Sequence, residues 1–324
     1  MELQLIQWLK ENLPSHPRLK VGLGDDAAVL SLADKSECVV TTDLLAEGTH
    51  FRLSEAPAER VGHKALAANL SDLAAMAAEP LAAVISLALP RHGGLALAKQ
   101  LYQGMLPLAE SQSLILAGGD TNAWDGPLVI SITALGTVGP RGSLLRSGAR
   151  PGDRLIVTGY LGGSMLGRHL DVEPRVAEAL YLQNNYALHA GIDLSDGLAL
   201  DLHRVLSESK CGAVVYADAV PISDAARSMA RQEAAEHPQQ QITAAQHAAA
   251  QHAAALEHAL HDGEDFELAL AVPAESAERL LRDQPLDVPL TDVGEFVAAS
   301  GMWLMDVNGQ REPLAARGFE HNFD

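Results

Sequence analysis

Aspartates in this chain come in short, glycine-flanked clusters, and the clusters recur from one end to the other. They are Gly24-Asp25-Asp26, Thr41-Thr42-Asp43, Asn69-Leu70-Ser71-Asp72, Gly118-Gly119-Asp120-Thr121, Asp193-Leu194-Ser195-Asp196-Gly197 and Gly263-Glu264-Asp265. Most follow an apolar run or lie on an apolar helix, where a strand or helix end delivers a carboxylate to a pocket. That pattern constrains the chain to strands and helices joined at acidic corners. Carboxylates from so many segments share a pocket only if something cancels their repulsion. Mg²⁺ does so, and it binds through a few carboxylates together with waters and substrate phosphates. The pattern therefore points to metal-dependent phosphate chemistry.

The 324 residues suffice for two domains of ordinary size. Hydrophobic content is 48% but aromatics are only 4%, so the cores must rest on Ala, Leu and Val. A net charge of −19 argues against nucleic acid or an anionic membrane as partner. Bound cations still allow an anionic substrate, because they reverse the local sign of a site. Cys38 and Cys211 form neither a disulfide framework nor a zinc pattern. A reducing, cytoplasmic setting is the natural expectation. Met1 to Leu13 reads as a short amphipathic helix rather than a signal peptide. Lys64 to Pro90, the most apolar stretch, is broken by Asp72, Glu79 and Pro80 and is no membrane span.

Periodicity predicts alternating strands and helices. Glu37 to Thr42 reads as a strand entering Asp43, and Pro57 to Ala78 as a helix stopped by Pro80. Leu81 to Leu89 is a strand, Leu95 to Glu110 a helix, and Ser113 to Ala117 a short strand ending at Gly118-Gly119-Asp120. Leu128 to Val138 is strongly β-branched. Glycine and proline cluster at Gly139 to Gly142 and at Ala149 to Asp153, which places a domain boundary there. The domains are then 1–140 and 141–324. In the second, Arg154 to Gly159 is a strand, followed by a Gly-rich turn, Gly159 to Gly163, opening a helix. Such a turn can bind phosphate through backbone N–H groups. It matches neither a Gly-x-Gly-x-x-Gly fingerprint nor a P-loop. Further strands are expected at Gly191 to Asp193, Ala213 to Ala217, Phe266 to Val272, Val288 to Val297 and Met302 to Val307, with a helix from Gly197 to Ser209. Ala244 to Leu260 should be helical by propensity. Its histidines His247, His252, His258 and His261 do not share one face, and a solvated Ala-rich helix accounts for them better than a metal site.

Taken singly, each Gly-Asp corner is better explained by a turn than by a ligand. Asp72 is different. It sits on an almost wholly apolar helix, and its neighbours at three and four positions include no Lys or Arg. A partner from elsewhere, such as a cation, is implied. Arg146 reads equally as a surface arginine or a phosphate clamp, and His50 as a loop residue.

In order along the chain, Gly22–Leu30, Thr41–Phe51, Lys64–Met76, Gly118–Thr121, Leu145–Asp153, Ile192–Leu198, Gly263–Leu268 and Gly318–Phe323 together resemble the thiamine-monophosphate kinase family. That family belongs with aminoimidazole ribonucleotide synthetase, selenophosphate synthetase and a hydrogenase maturation protein. The resemblance implies an α/β fold with mixed sheets. An N-terminal domain would form a dimeric β-barrel with its copy and bind ATP and Mg²⁺, and a C-terminal α/β domain would pack on it. It also implies transfer of phosphate from ATP to thiamine monophosphate in a homodimer holding several Mg²⁺ ions.

By the same resemblance, Asp26, Thr41, Thr42, Asp43, Asp72, Asp120, Asp193 and Asp196 are metal ligands. Gly119, Asp120, Arg146 and Ser195 contact the nucleotide, with Tyr102 on its adenine side. His50, Glu264 and Phe319 face the thiamine end. Asp43, Asp72, Asp120 and Arg146 would carry the chemistry. The chain departs from the family pattern at Asp262, at Gly162-Gly163-Ser164, in a short 164–175 connection and at Asn122-Ala123-Trp124. Those changes bear on substrate affinity more than on the metals. A sister enzyme acting on another substrate, or a non-catalytic binder of thiamine phosphates, are the alternatives.

Overall fold

The computed structural model describes residues 16–22, 24–32, 36–236 and 243–321. The helix expected over Met1 to Leu13 lies outside these. The described residues fall into two compact units. One runs up to Ser143 and takes in Leu170–Asn184; the other comprises Leu144–His169 and the residues from Asn185 onward.

The first unit is a six-stranded sheet with helices on one face. Its strands are β1 (Leu19–Val21), β2 (Ala28–Ser31), β3 (Glu37–Ala46), β4 (Ala78–Pro90), β5 (Ile115–Trp124) and β6 (Val129–Val138), in the order β1-β2-β3-β6-β4-β5. All neighbours are antiparallel except β4 and β5. The sheet is open, with β1 and β5 at its edges. Helix α1 (Ala58–Ala75) lies against β3, β4 and β6, and α2 (Gly94–Ser111) packs on α1. α1 follows Pro57, whose fixed φ suits a helix start. Val61, Ala65, Leu66, Leu70 and Leu73 are fully buried along it. Burial of each larger apolar side chain contributes about 1.5–3 kcal/mol, which fixes the helix and the position of Asp72 near its end. The helix stops at Ala75, before Pro80, and Ala77 turns the chain with a positive φ of 49°.

Two strands run well past the ends the sequence predicts. β3 continues through Asp43 to Ala46, so Asp43 lies within a strand rather than at its end. β5 passes straight through Gly118-Gly119-Asp120 to Trp124. The glycines there do not make a turn. They carry a register shift against β4 at Ala83/Val84, and a Cβ at Gly119 would stand 1.7 Å from the Ile85 carbonyl oxygen. Only glycine permits that approach.

The second unit holds a seven-stranded sheet: β7 (Arg154–Thr158), β8 (Ala190–Asp193), β9 (Gly212–Tyr216), β10 (Leu268–Val272), β11 (Leu290–Val297), β12 (Gly301–Met305) and β13 (Arg311–Pro313). Their order is β13-β12-β9-β11-β7-β10-β8, antiparallel except for β9 and β12. Every residue of β8 and β10 is buried, so both faces are covered there. The core joins these strands to α4 (Leu198–Ser209), α5 (Asp224–Glu236) and α6 (Ala244–His261). α3 (Val176–Asn185) falls almost wholly in the first unit, and α7 (Ala274–Asp283) packs on β11 and β7. A capping box between Thr243 and Gln246 starts α6. The helix expected directly after Gly163 is absent; only short 3₁₀ turns follow, at Ser164–Leu166 and Arg168–Leu170.

Candidate active site

In the first unit, the loop between β1 and β2 places Asp26, and the last turn of α1 places Asp72. One carboxylate oxygen of each lies within 4.8 Å of the other. β3 runs beside them. The Thr41 hydroxyl donates to the Asp72 carboxylate and stands 3.5 Å from the Asp26 carbonyl oxygen. Strand alternation puts Asp43 on the same face as Thr41. One helical turn before Asp72, Asn69 is fully buried. Its amide nitrogen donates to the Ala65 carbonyl oxygen at 3.0 Å, and its Oδ1 has no hydrogen-bond partner among the described residues. This gathering of hard oxygen donors fits a divalent cation of the Mg²⁺ kind.

Not every expected ligand joins it. The same alternation turns Thr42 to the opposite, exposed face. Its hydroxyl donates to the Ile132 carbonyl at 3.0 Å and accepts from Thr133 Oγ1 at 3.1 Å. The two-residue repeat of the strand thus sends the two threonine hydroxyls to opposite faces, and only that of Thr41 joins Asp26 and Asp72. Gly119 and Asp120 lie on the exposed edge strand β5. Asp43 pairs with Ile132, Ile132 with Ile85, and Ile85 with Gly119. Asp120 is thus three strand spacings from Asp43, roughly 14 Å, and its Oδ1 accepts the Thr121 N–H at 2.9 Å.

His50 follows β3. Its Nδ1 accepts the Ala46 N–H at 3.0 Å, which puts the ring proton on Nε2. Its carbonyl accepts from Lys64 Nζ at 2.7 Å. Lys64 is almost completely buried on α1, at 1% exposure, and sequence reading passed over it. Tyr102, on α2, is half-buried, and burial raises its phenol above the usual value.

In the second unit, β8 ends at the buried Asp193 and leads through Ser195 and Asp196 into α4. Arg204 Nη1 lies 2.6 Å from Asp196 Oδ2 and 2.5 Å from Asp201 Oδ1. The Asp196 N–H donates to Asp201 Oδ2 at 2.9 Å. Burial pushes the Asp201 carboxyl up to about 7, the Arg204 charge opposing it. Arg146 also lies within electrostatic reach of Asp201 and Arg204. The carboxylate of Asp196 is therefore engaged by an arginine, which its reading as a plain metal ligand did not foresee. Sequence analysis missed Asp201 and Arg204. The available signal was an Asp on the apolar face of α4 with an Arg three residues on.

Backbone bonds tie three loops of this unit together. Glu264 N–H donates to the Ser195 carbonyl at 2.7 Å, Phe266 N–H to that of Leu194 at 2.8 Å, and Phe319 N–H to that of Asp196 at 3.0 Å. Glu264 and Phe266 adopt positive φ values of 64° and 50°, a strained arrangement held by these contacts. Ser195, Asp196, Glu264 and Phe319 are thereby brought to one corner. Phe319 is 45% exposed, and its ring meets His321 edge-on, with centroids 5.0 Å apart.

The Gly159–Gly163 turn is not an open phosphate cradle. Gly162 N–H donates to Asp265 Oδ2 at 2.8 Å and Gly163 N–H to Asp262 Oδ2 at 3.0 Å. Asp265 also takes Ser164 Oγ at 2.6 Å and Arg168 Nη2 at 2.7 Å. Burial pushes its carboxyl up to about 7 against the pull of these donors.

The chain is similar to known proteins over its full length. Residues 24–138 match the family model of the AIR synthase related protein N-terminal domain, and residues 150–303 that of the C-terminal domain. The thiamine-monophosphate kinase of Rhodopirellula baltica is 40% identical over 329 residues, covering 99% of this chain and 97% of that protein. The crystal structure of the thiamine-monophosphate kinase from Stenotrophomonas maltophilia is 31% identical, with a TM-score of 0.72 over 96% of each chain. A structure described as AaThiL complexed with AMPPCP and TMP is 26% identical, with a TM-score of 0.80 over 99% of this chain and 97% of that one. With an acidic oxygen corner in one unit, a knitted aromatic corner in the other and full-length similarity of this order, the chain belongs to the thiamine-monophosphate kinase family.

Proposed function

We propose that this protein phosphorylates thiamine monophosphate to thiamine diphosphate with ATP, by direct in-line transfer assisted by Mg²⁺. The observation that carries the reading is the convergence of Asp26, Thr41 and Asp72 in the first unit, in a chain similar over its full length to kinases of this substrate. Phosphoryl transfer between two phosphates needs positioning and charge neutralisation more than covalent chemistry. The acceptor oxygen is already anionic, so no strong general base is required. Bound Mg²⁺ supplies neutralisation of the phosphate oxygens and their alignment.

Asp26, Thr41, Asp43 and Asp72 would hold such ions from the first unit, with Thr42 contributing through its backbone. Asp193 and Asp196 would do so from the second, Asp196 sharing its charge with Arg204. Gly119 and Asp120 would meet the nucleotide phosphates, Arg146 and Ser195 would position the nucleotide, and Tyr102 would lie on its adenine side. Glu264, His50 and Phe319 would contact the thiamine end, Phe319 through its exposed ring.

The reading includes a homodimer whose N-terminal domains, residues 1–140, close a β-barrel across a two-fold axis, while 141–324 forms the C-terminal domain. The support is an unfinished surface. In β4 the residues alternate between buried and open, and Leu44, Val84 and Ile115 are 61%, 39% and 59% exposed on β3, β4 and β5. An apolar sheet face with an open edge invites a second copy. Light scattering should give about twice the 34.3 kDa chain mass; a monomer at micromolar concentration contradicts the dimer. Both cysteines are free and buried, which supports a reducing, cytoplasmic setting. No helix among the described residues is long and apolar enough to cross a membrane.

The test is product identification. Purified protein with ATP, thiamine monophosphate and Mg²⁺ should form thiamine diphosphate, resolved by chromatography, and EDTA should abolish it. Absence of that product at micromolar enzyme overturns the proposal.

A further inference from the structure

The Ala/Gln/His-rich helix α6 has no role in the proposed reaction, yet its end is not simply solvated. Ala255, Ala259 and Leu260 are buried in the core of the second unit. His258 bridges Glu233 Oε1 at 3.2 Å and Asp262 Oδ2 at 3.1 Å. His261, the last residue of the helix, faces the segment that follows β13 and carries Phe319.

That segment is pinned at both ends. Leu314 N–H donates to the Met302 carbonyl at 2.9 Å, and Phe319 N–H to that of Asp196 at 3.0 Å. Gly318 lies so close to the α4 entry that a Cβ there would stand 2.2 Å from the Asp196 carbonyl oxygen. Between the pins, Arg317 Nη2 donates to Glu257 Oε2 at 2.7 Å and to His261 Nε2 at 2.9 Å, while His261 Nδ1 lies 3.2 Å from the Arg317 carbonyl oxygen. A single tautomer satisfies both histidine contacts. The proton sits on Nδ1 and is given to the carbonyl, and Nε2 accepts from the guanidinium. Burial holds His261 below the ordinary histidine value. The bond to the Arg317 carbonyl and the charges of Glu257 and Asp262 pull the other way, and the Arg317 charge works with burial. The neutral ring is the form the geometry uses; an imidazolium would point a second N–H at the guanidinium.

We infer that His261, Arg317 and Glu257 form a latch that fixes the C-terminal segment and sets the position of Phe319, making them positioning residues for the thiamine end of the substrate. The inference rests on the reading of Phe319 given above. The Arg317–Glu257 pair is exposed, and such pairs are worth little alone. The imidazole, 13% exposed, supplies the directional part through two bonds to one residue.

The latch has its own readout, because trypsin cuts after arginine and Arg317 is inside it. The intact enzyme should resist cleavage at Arg317–Gly318. His261→Leu should be cut there about fivefold faster or more, and its KM for thiamine monophosphate should rise about three- to tenfold, with kcat and the KM for ATP within about twofold of wild type. His261→Asn places an amide nitrogen where Nδ1 stood, keeps the bond to the Arg317 carbonyl, and should recover most of the protection. Glu257→Gln, acting on Arg317 alone, should fall between wild type and His261→Leu and serves if the leucine variant does not fold. Unchanged cleavage and KM in both His261→Leu and Glu257→Gln, or an equal rise in the KM for ATP, overturns the latch. Phe319→Ala separates the two layers of the argument. If it weakens thiamine monophosphate while His261→Leu does not, the latch falls and the pocket reading stands. If Phe319→Ala leaves that KM unchanged, the pocket reading falls, and the role of the latch in affinity falls with it.

Discussion

The acidic corners of the two units are built from the same residue type and solve opposite problems. Around Asp72, the first unit gathers oxygens: the Asp26 carboxylate, the Thr41 hydroxyl and, one turn away, the buried Asn69 amide oxygen. Around Asp201, the second unit gathers charge pairs, with Arg204 touching both Asp196 and Asp201 and Arg146 near by. An oxygen-lined corner suits a hard cation and its phosphates. A paired corner keeps its shape by itself and makes a rigid floor for loops. Aspartate identity alone does not separate these cases; the partner does. Removing Asp72 should therefore harm turnover, and removing Asp201 should harm folding.

The largest expected effect is on the oxygen-lined side. Asp72→Asn should lower kcat by on the order of 10³ or more, as expected when a fixed charge that organises a reacting phosphate is lost. The protein should stay folded, and its thermal midpoint without Mg²⁺ should not fall, because like-charge repulsion is relieved. Near-normal kcat at ordinary Mg²⁺, or a large loss of stability, would erase the contrast. On the paired side, Asp201→Ala removes the fully buried of the two carboxylates that hold Arg204 and should cost about 3 kcal/mol of stability, read by denaturant unfolding. If it is as stable as wild type but inactive, Asp201 belongs with the reacting groups instead.

Much of this contrast was hidden in the sequence for a physical reason. α1 was legible because its apolar residues repeat at helical spacing, and the oddity of Asp72 stood out against them. Strand β6 was legible from its β-branched run. What escaped depended on partners distant in the chain. Gly162 and Gly163 look like a phosphate loop until Asp265 and Asp262, about a hundred residues later, are seen to occupy their N–H groups. Gly118-Gly119 looks like a turn because nothing local reveals the close approach of β4. Thr41 and Thr42 look equivalent until the pleat of β3 sends them to opposite faces.

A smaller effect sharpens the comparison from the substrate side. Phe319→Ala removes an exposed ring and no charge. It should raise the KM for thiamine monophosphate about tenfold, from lost stacking and burial together, and leave the KM for ATP unchanged. Equal loss for both substrates would make Phe319 a structural residue and move the thiamine pocket elsewhere.

On the proposed reading, the oxygen-lined corner moves a phosphoryl group onto an acceptor that is already an anion. His50, the histidine proposed for substrate contact, has its Nδ1 taken by the Ala46 N–H, so that nitrogen is not placed to receive a proton from an alcohol. ADP release should therefore be measured with thiamine monophosphate and with thiamine as acceptor, at equal concentration and saturating ATP and Mg²⁺. Turnover should be steady with the monophosphate and not rise above the ATP-only background with thiamine. Comparable ADP release with both, or with thiamine alone, would contradict it.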